Sequence, residues 1–264
     1  MDLQLNDKTA FISGSTQGIG YAIAESLLRE GASVIVNGRS ESKVDDAVAK
    51  LKALLPVGNV SGYAADFSKV EEVNALLSNL SEIDILINNA GIFEPKPFTE
   101  ITDEDWFKFF EVNVLSGVRL SRHFLPKMLA KNWGRIIFIS SESAVNIPEE
   151  MIQYGTTKTA QLSVSRGLAE LTKGTNVTVN TVMPGPTKSE GAAEFVKQFA
   201  AENNITTEEA EKDFFKTARP TSLLQRFSSV EEIANLVTYV ASPLSSATNG
   251  SALKVDGGVA KFII

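Results

Sequence analysis

Seven short runs rich in Val, Ile and Phe recur along the chain: "TAFISG", "SVIVNG", "VSGYAAD", "IDILINNAG", "RIIFISS", "VTVNTVMPG" and "ALKVDGG". Between most of them lie longer stretches with apolar residues at helical spacing. Strands that are apolar on both sides, alternating with helices, predict a parallel sheet covered on both faces and so an α/β fold. No linker-like segment divides the 264 residues, and α/β units of this length fold as one piece, so residues 1–264 read as a single domain.

Helix starts are marked as well. Ser68 with Glu71, Thr102 with Asp105, and Ser229 with Glu232 have capping-box spacing ahead of apolar stripes. The acid pairs Glu71 and Glu72, Glu208 and Glu209, and Glu231 and Glu232 therefore read as first-turn charges that favour the helix dipole, not as catalytic carboxylates. The alternation lapses only between Pro186 and Phe227. There Phe195 with Phe199 and Lys212 with Lys216 stand at i, i+4, which predicts two short amphipathic helices. A long insertion of this kind, 186–227, serves as a substrate lid or as a packing decoration.

The segment "FISGSTQGIGYAIAESLLREG" reads as an apolar strand, a turn holding Gly14, Gly18 and Gly20, and a helix with Ala22, Ile23, Leu27 and Leu28 on one face. Such a turn lets a phosphate approach the amides at a helix N-terminus. Alone it admits a purely packing role. Asp66 ends the third run, "NNAG" (Asn88 to Gly91) the fourth and "MPGPT" the sixth. Each is an ordinary turn sequence by itself, yet all belong to the carboxyl edge where open α/β sheets bind ligands.

Chemistry is suggested by "QYGTTKTA", in which Tyr154 and Lys158 share one helical face, and by Ser141 in "FISSESA" shortly before it. The chain has no cysteine and one histidine, so disulfides, thiolate metal sites and a histidine-based triad are excluded and no metal is expected. His123 reads as structural or surface. Twenty-five basic against 32 acidic residues, a net charge of −7, argue against a nucleic-acid partner. The N-terminal residues predict neither a signal peptide nor a membrane span, which makes the cytoplasm the expected compartment.

In order and spacing, "SGSTQGIG", "NNAG", "EVNVLSG", "ISSES", "YGTTK", "MPGPT" and "VDGG" resemble the motifs of the short-chain dehydrogenases/reductases, the single-domain branch, over nearly the whole chain. The resemblance implies a Rossmann-type, doubly wound parallel sheet of seven strands in the order 3-2-1-4-5-6-7, and hydride transfer between a nicotinamide cofactor and a carbonyl or alcohol. It places the catalytic positions at Asn113, Ser141, Tyr154 and Lys158. It assigns the pyrophosphate to the turn Gly14, Ser15, Thr16, Gln17, Gly18, Ile19 and Gly20, the adenine to Asp66 and Phe67, and the adenosine ribose to Asn89, Ala90 and Gly91. Pro184, Gly185 and Thr187 would hold the nicotinamide carboxamide, with Tyr154 and Lys158 on the nicotinamide ribose. Two departures are Ser13, where the family usually has Thr, and Ala144, where it has Gly. The resemblance also implies a homotetramer, or failing that a dimer, built through helices at Thr102 to Ala130 and Ile152 to Thr172.

A free tyrosine has a pKa of about 10, and a neighbouring ammonium lowers it, so Lys158 is expected to favour the Tyr154 phenolate. Ser141 would fix the substrate oxygen by a hydrogen bond, and the resemblance gives Asn113 a water linking Lys158 to solvent. In "VNGRS", Gly38 stands where NAD-preferring relatives carry an acid, and Arg39 follows. Arg39 can pair with a 2′-phosphate and stack on adenine, with Asn37 and Ser40 adding neutral hydrogen bonds. Gln17, where many NADP-preferring relatives place a base, makes the preference modest. The expectation is NADP as cofactor, with NAD as the alternative.

The leading function is NADP(H)-dependent reduction of a ketone, 3-oxoacyl or a similar small to medium carbonyl, to a secondary alcohol. An NAD-dependent alcohol or sugar dehydrogenase is the alternative among enzymes. A nicotinamide-binding regulatory protein without turnover is the alternative outside them, and the complete set of four catalytic positions speaks against it. The partner is a small-molecule carbonyl or alcohol, held by loops around Phe93, Glu142, Met151 and residues 186–227.

Overall fold

Each of the seven apolar runs forms a strand in the computed structural model, which describes residues 2–80 and 82–263, the side chain of Phe195 excepted. The strands are β1 (Thr9–Ile12), β2 (Ser33–Gly38), β3 (Val60–Ala64), β4 (Ile85–Asn88), β5 (Gly134–Ile139), β6 (Val177–Pro184) and β7 (Ala252–Val255). They form one sheet in the order β3-β2-β1-β4-β5-β6-β7, every pairing parallel. The order reverses direction between β1 and β4, so the loops after them diverge and open a crevice at the carboxyl edge.

Helices cover both faces. On one side α1 (Gly18–Arg29), α2 (Glu41–Leu54) and α9 (Val230–Ala241) bury Leu27, Leu51 and Val237 against Ile12, Val36 and Ile137. On the other, α3 (Val70–Asn79), α5 (Ser116–Ala130) and α6 (Ile152–Glu170) bury Leu76, Phe124 and Ala169 against Phe11, Ile136 and Phe138. Alternate residues of each strand thus serve opposite cores, which is why the strands read as unbroken apolar runs. Among the described residues no helix is long and apolar enough to cross a membrane.

Two of the three expected capping boxes form, at Thr102 with Asp105 and at Ser229 with Glu232. The third does not. Ser68 donates its hydroxyl to Asp66, α3 starts only at Val70, and Glu72 rather than Glu71 turns back to accept the Asp66 amide. Local hydrogen bonding to Asp66 has won over the cap. A box is found instead at Thr206 with Glu209, opening α8 (Thr207–Thr217).

The helix expected from Thr102 to Ala130 is divided into α4 (Asp103–Phe110), a π turn at Glu111–Leu115, and α5. Such wider turns recur at functional sites because the extra residue re-aims a side chain; here it is Asn113. The insertion 186–227 contains α7 (Glu190–Asn203) and α8, as its spacing predicts. It has its own small core of Val196, Ala200, Ala210, Phe215 and Phe227, with Phe199 and Phe214 packed on it. A parallel bridge between Thr187 and Ser228 closes its base.

Candidate active site

Two cavities open at the carboxyl edge of the sheet. The larger, about 540 Å³, is lined by Gly14, Thr16 and Gln17 after β1, Arg39 and Ser40 after β2, Asp66 and Phe67 after β3, and Ala90 and Gly91 after β4. The other, about 310 Å³, is lined by Ile19, Ser141, Tyr154, Pro184, Gly185 and Thr187 and by side chains of the insertion.

The glycine turn has the geometry of an anion cradle. Gly14 and Gly18 have φ of 63° and 60°, the left-handed region that favours glycine. A Cβ on Gly20 would stand 2.5 Å from both the Asn89 Nδ2 and the Gly14 carbonyl oxygen. At the start of α1 no side chain caps the helix and no acid lies in the first turn, so its amides are left for a ligand. This donor set fits a dinucleotide pyrophosphate.

Several residues expected to touch the cofactor have side chains that hold the turn in shape. Ser15 is fully buried, its hydroxyl donating to the Ile12 carbonyl and accepting from the Asn37 amide. Asn37 accepts from the Gly14 amide and donates to the carbonyls of Tyr63 and Ala65. Its polar atoms are therefore engaged, and the expected neutral hydrogen bond from Asn37 to a phosphate is not available. Asn89 donates to the carbonyls of Ser13 and Gly14, while the Ser13 hydroxyl accepts from the amides of Asn89 and Ala90. That hydroxyl ties β1 to β4, which explains why Ser serves where Thr was expected. The Phe67 ring belongs to the core.

Arg39 is exposed at the mouth of the larger cavity and makes no ion pair among the described residues. Lys43, on the first turn of α2, lines the same mouth. Burial works to raise the Asp66 pKa, but hydrogen bonds from Ser68 and the charges of Arg39 and Lys69 outweigh it and hold the carboxyl below its ordinary value.

Ser141, Tyr154, Lys158 and Asn113 meet where β5, the π turn and α6 converge. Ser141 follows β5 in extended backbone and accepts from the Ser143 amide at 3.1 Å. Tyr154, in the first turn of α6, points into the smaller cavity, its ring 6.3 Å from that of Phe93 and edge-on to it. One turn on, Lys158 is buried, its Nζ 5.5 Å from the centre of the Tyr154 ring and donating to the Ile139 carbonyl at 2.9 Å.

The electrostatics differ from the expectation. Desolvation pushes the Tyr154 phenol up to about 12, against the lowering effect of the neighbouring Ser141 hydroxyl. Desolvation likewise pushes the Lys158 ammonium down to about 8. Lys158 therefore does not bring Tyr154 toward neutrality here: its charge is directed at a backbone carbonyl, and burial governs both groups.

Asn113 is wholly buried and grips the loop after β4 like a peptide unit, accepting from the Ile92 amide and donating to the Ile92 carbonyl and to Thr157. A water assigned to this residue would have to use its backbone carbonyl. Gln161 already donates to that carbonyl and, at 3.4 Å, accepts from Lys158. Gln161 was missed in the sequence although it lies three residues beyond Lys158, on the same helical face. Arg219, which pairs with Glu142 on the cavity wall, was also missed; no local pattern links residues so far apart in sequence. His123 lies outside the site, against Phe124 and Lys127, its pKa lowered by burial and by Lys127.

Comparison with known proteins agrees with this geometry. The family model for short chain dehydrogenase matches residues 8–200. An uncharacterised oxidoreductase of Bacillus subtilis, YvrD, is 52% identical over the full length of both chains. The 3-oxoacyl-[acyl-carrier-protein] reductase of Aquifex aeolicus is 33% identical, the match covering 98% of this chain and 100% of that protein. The crystal structure of L-sorbose reductase from Gluconobacter frateurii, complexed with NADPH and L-sorbose, superposes over 100% of both chains with a TM-score of 0.93 at 32% identity. Topology, glycine turn and family match lead to one conclusion: the chain belongs to the short-chain dehydrogenase family of oxidoreductases.

Proposed function

We propose that this protein reduces a small to medium ketone to a secondary alcohol with NADPH. The observation that carries the reading is the one cavity that Ser141 and Tyr154 line together with Pro184, Gly185 and Thr187, with Lys158 one helical turn beyond the tyrosine. The NADPH-bound sorbose reductase and the 3-oxoacyl reductase among the relatives support it.

A bound reduced nicotinamide supplies a hydride for the carbonyl carbon. The protein's part is the proton and the orientation. Ser141 donates to the carbonyl oxygen and holds it against the Tyr154 hydroxyl, and Tyr154 transfers its proton to that oxygen as negative charge develops there. A phenol held near 12 is a poor acid toward water but a sufficient one toward an alkoxide, whose conjugate acid is weaker still. The resulting phenolate is reprotonated from solvent before the next turnover. Arg39 and Lys43 carry the preference for a 2′-phosphate, and Gly38 leaves no carboxylate to repel it.

We further propose a homotetramer in the cytoplasm. Phe107 and Leu171 are exposed on or beside the helices expected to pair between subunits, where a second copy would bury them. A panel of ketones, keto-esters and acyl thioesters, scored by loss of reduced-cofactor absorbance, tests the activity. Turnover of at least one class with NADPH is expected; no turnover of any of them by protein that binds NADPH would overturn it.

A further inference from the structure

The smaller cavity is mostly apolar, walled by Phe93, Pro95, Met151, Phe214 and Phe227, but one corner is charged. Among the described residues that line it, the ionised side chains are Glu142, Glu150 and Arg219. Glu142 follows Ser141 directly in sequence and is almost wholly buried. Its Oε1 accepts from Arg219 Nε at 2.8 Å and its Oε2 from the Ser143 hydroxyl at 2.7 Å. The Arg219 Nη1 donates to the Ala218 carbonyl and lies 3.6 Å from Glu150. Nη2 makes no hydrogen bond among the described residues.

The corner is close to the reaction centre. Glu142 and Arg219 line the same cavity as Ser141 and Tyr154, and their charges act in opposite directions on the Tyr154 phenol. Lys158 does not line this cavity; its ammonium is turned to the Ile139 carbonyl. Two carboxylates therefore face one guanidinium, a net charge of −1 on the wall beside the substrate carbonyl. A buried guanidinium already spent on a carboxylate is a poor receptor for a second one, whereas its free N–H groups and the remaining lone pairs of Glu142 suit a neutral hydroxyl or carbonyl oxygen.

We propose that the Glu142–Arg219 pair is a specificity device that selects uncharged carbonyl substrates bearing a neutral oxygen group near the ketone and rejects keto-acid anions. The inference rests on the reductase reading above and narrows its substrate class. The pair joins the segment after β5 to the end of the lid helix α8, so the selection is built from both walls of the cavity.

Matched substrates test it: ethyl acetoacetate against acetoacetate, and hydroxyacetone against pyruvate, at pH 7 with NADPH. The uncharged member of each pair is expected to have at least a tenfold higher kcat/KM. Glu142→Gln removes one carboxylate and leaves Arg219 free to meet an anion, so the ratio is expected to fall at least tenfold toward the acid. Bound NADPH fluorescence reports whether that variant keeps its fold, and the native ratio stands without it. A native preference for the acids, or an unchanged ratio in a folded Glu142→Gln protein, overturns the proposal. If no ketone is reduced, the reductase reading falls separately, and calorimetry on the NADPH complex decides this one: butyramide binding more tightly than butyrate supports it, and equal or reversed affinities overturn it.

Discussion

The Lys158 ammonium donates to the Ile139 carbonyl at 2.9 Å while lying 5.5 Å from the centre of the Tyr154 ring. It is held beside the tyrosine, not on its hydroxyl, and desolvation governs both groups.

That arrangement gives the free protein a distinctive pH dependence. Lys158 falls from an ordinary value of 10.5 to about 8 on folding, so between these limits the unfolded chain binds more protons and stability rises with pH. Tyr154 rises from 10.0 to about 12, so above pH 10 the folded state holds the extra proton and stability falls again. Denaturant unfolding of the native protein and of Lys158→Met, compared from pH 7 to 11, is expected to show the rise only in the native protein. Its size is on the order of 3 kcal/mol. Parallel curves would mean that Lys158 is not desolvated.

Arg39→Leu is expected to weaken NADPH binding ten- to a hundredfold and to leave NADH binding nearly unchanged, because a charged hydrogen bond to phosphate contributes about 1.5 to 3 kcal/mol. Titration by cofactor fluorescence checks it. An acid at position 38 is a less direct probe, since a Cβ on Gly38 would stand 2.5 Å from the Thr16 methyl group and force that side chain to move. Equal losses for both cofactors in Arg39→Leu would show that the arginine does not read the phosphate.

The insertion is expected to tighten over ligands. Ser189 and Glu190 lie against Gly18 in the glycine turn, and Phe214 and Phe227 line the smaller cavity. Amide exchange in α7 and α8 should slow when NADPH and a ketone are added together. Exchange that is the same in both states would make the insertion a fixed wall.

Light scattering at micromolar concentration is expected to give the mass of four chains, and Phe107→Asp to lower it by placing a charge on the proposed contact. A native monomer would remove that reading.

The frame was legible because its signals are local and periodic. Strands such as Val177–Pro184 are buried along their whole length, so their composition alone declares a doubly covered sheet. Glycine turn, tyrosine and lysine were legible for the same reason. What escaped depends on distance or on competition. The pairing of Glu142 with Arg219 crosses from the segment after β5 to the insertion. The Ser68 cap lost to Asp66, and the helix takes a wider turn at Asn113, whose side chain bonds to Ile92. Asn37 looked like a phosphate ligand only until its own backbone partners were visible.

The central claim is that Tyr154 supplies the proton. In Tyr154→Phe the ring and its packing remain and only the transferable proton is removed. Reduction of the best ketone by saturating NADPH, measured side by side for the native protein and the variant, is the most direct test. NADPH affinity is expected to be unchanged and kcat to be lower by about 10²- to 10⁴-fold. A variant that binds NADPH and turns over at near-native rate would contradict it.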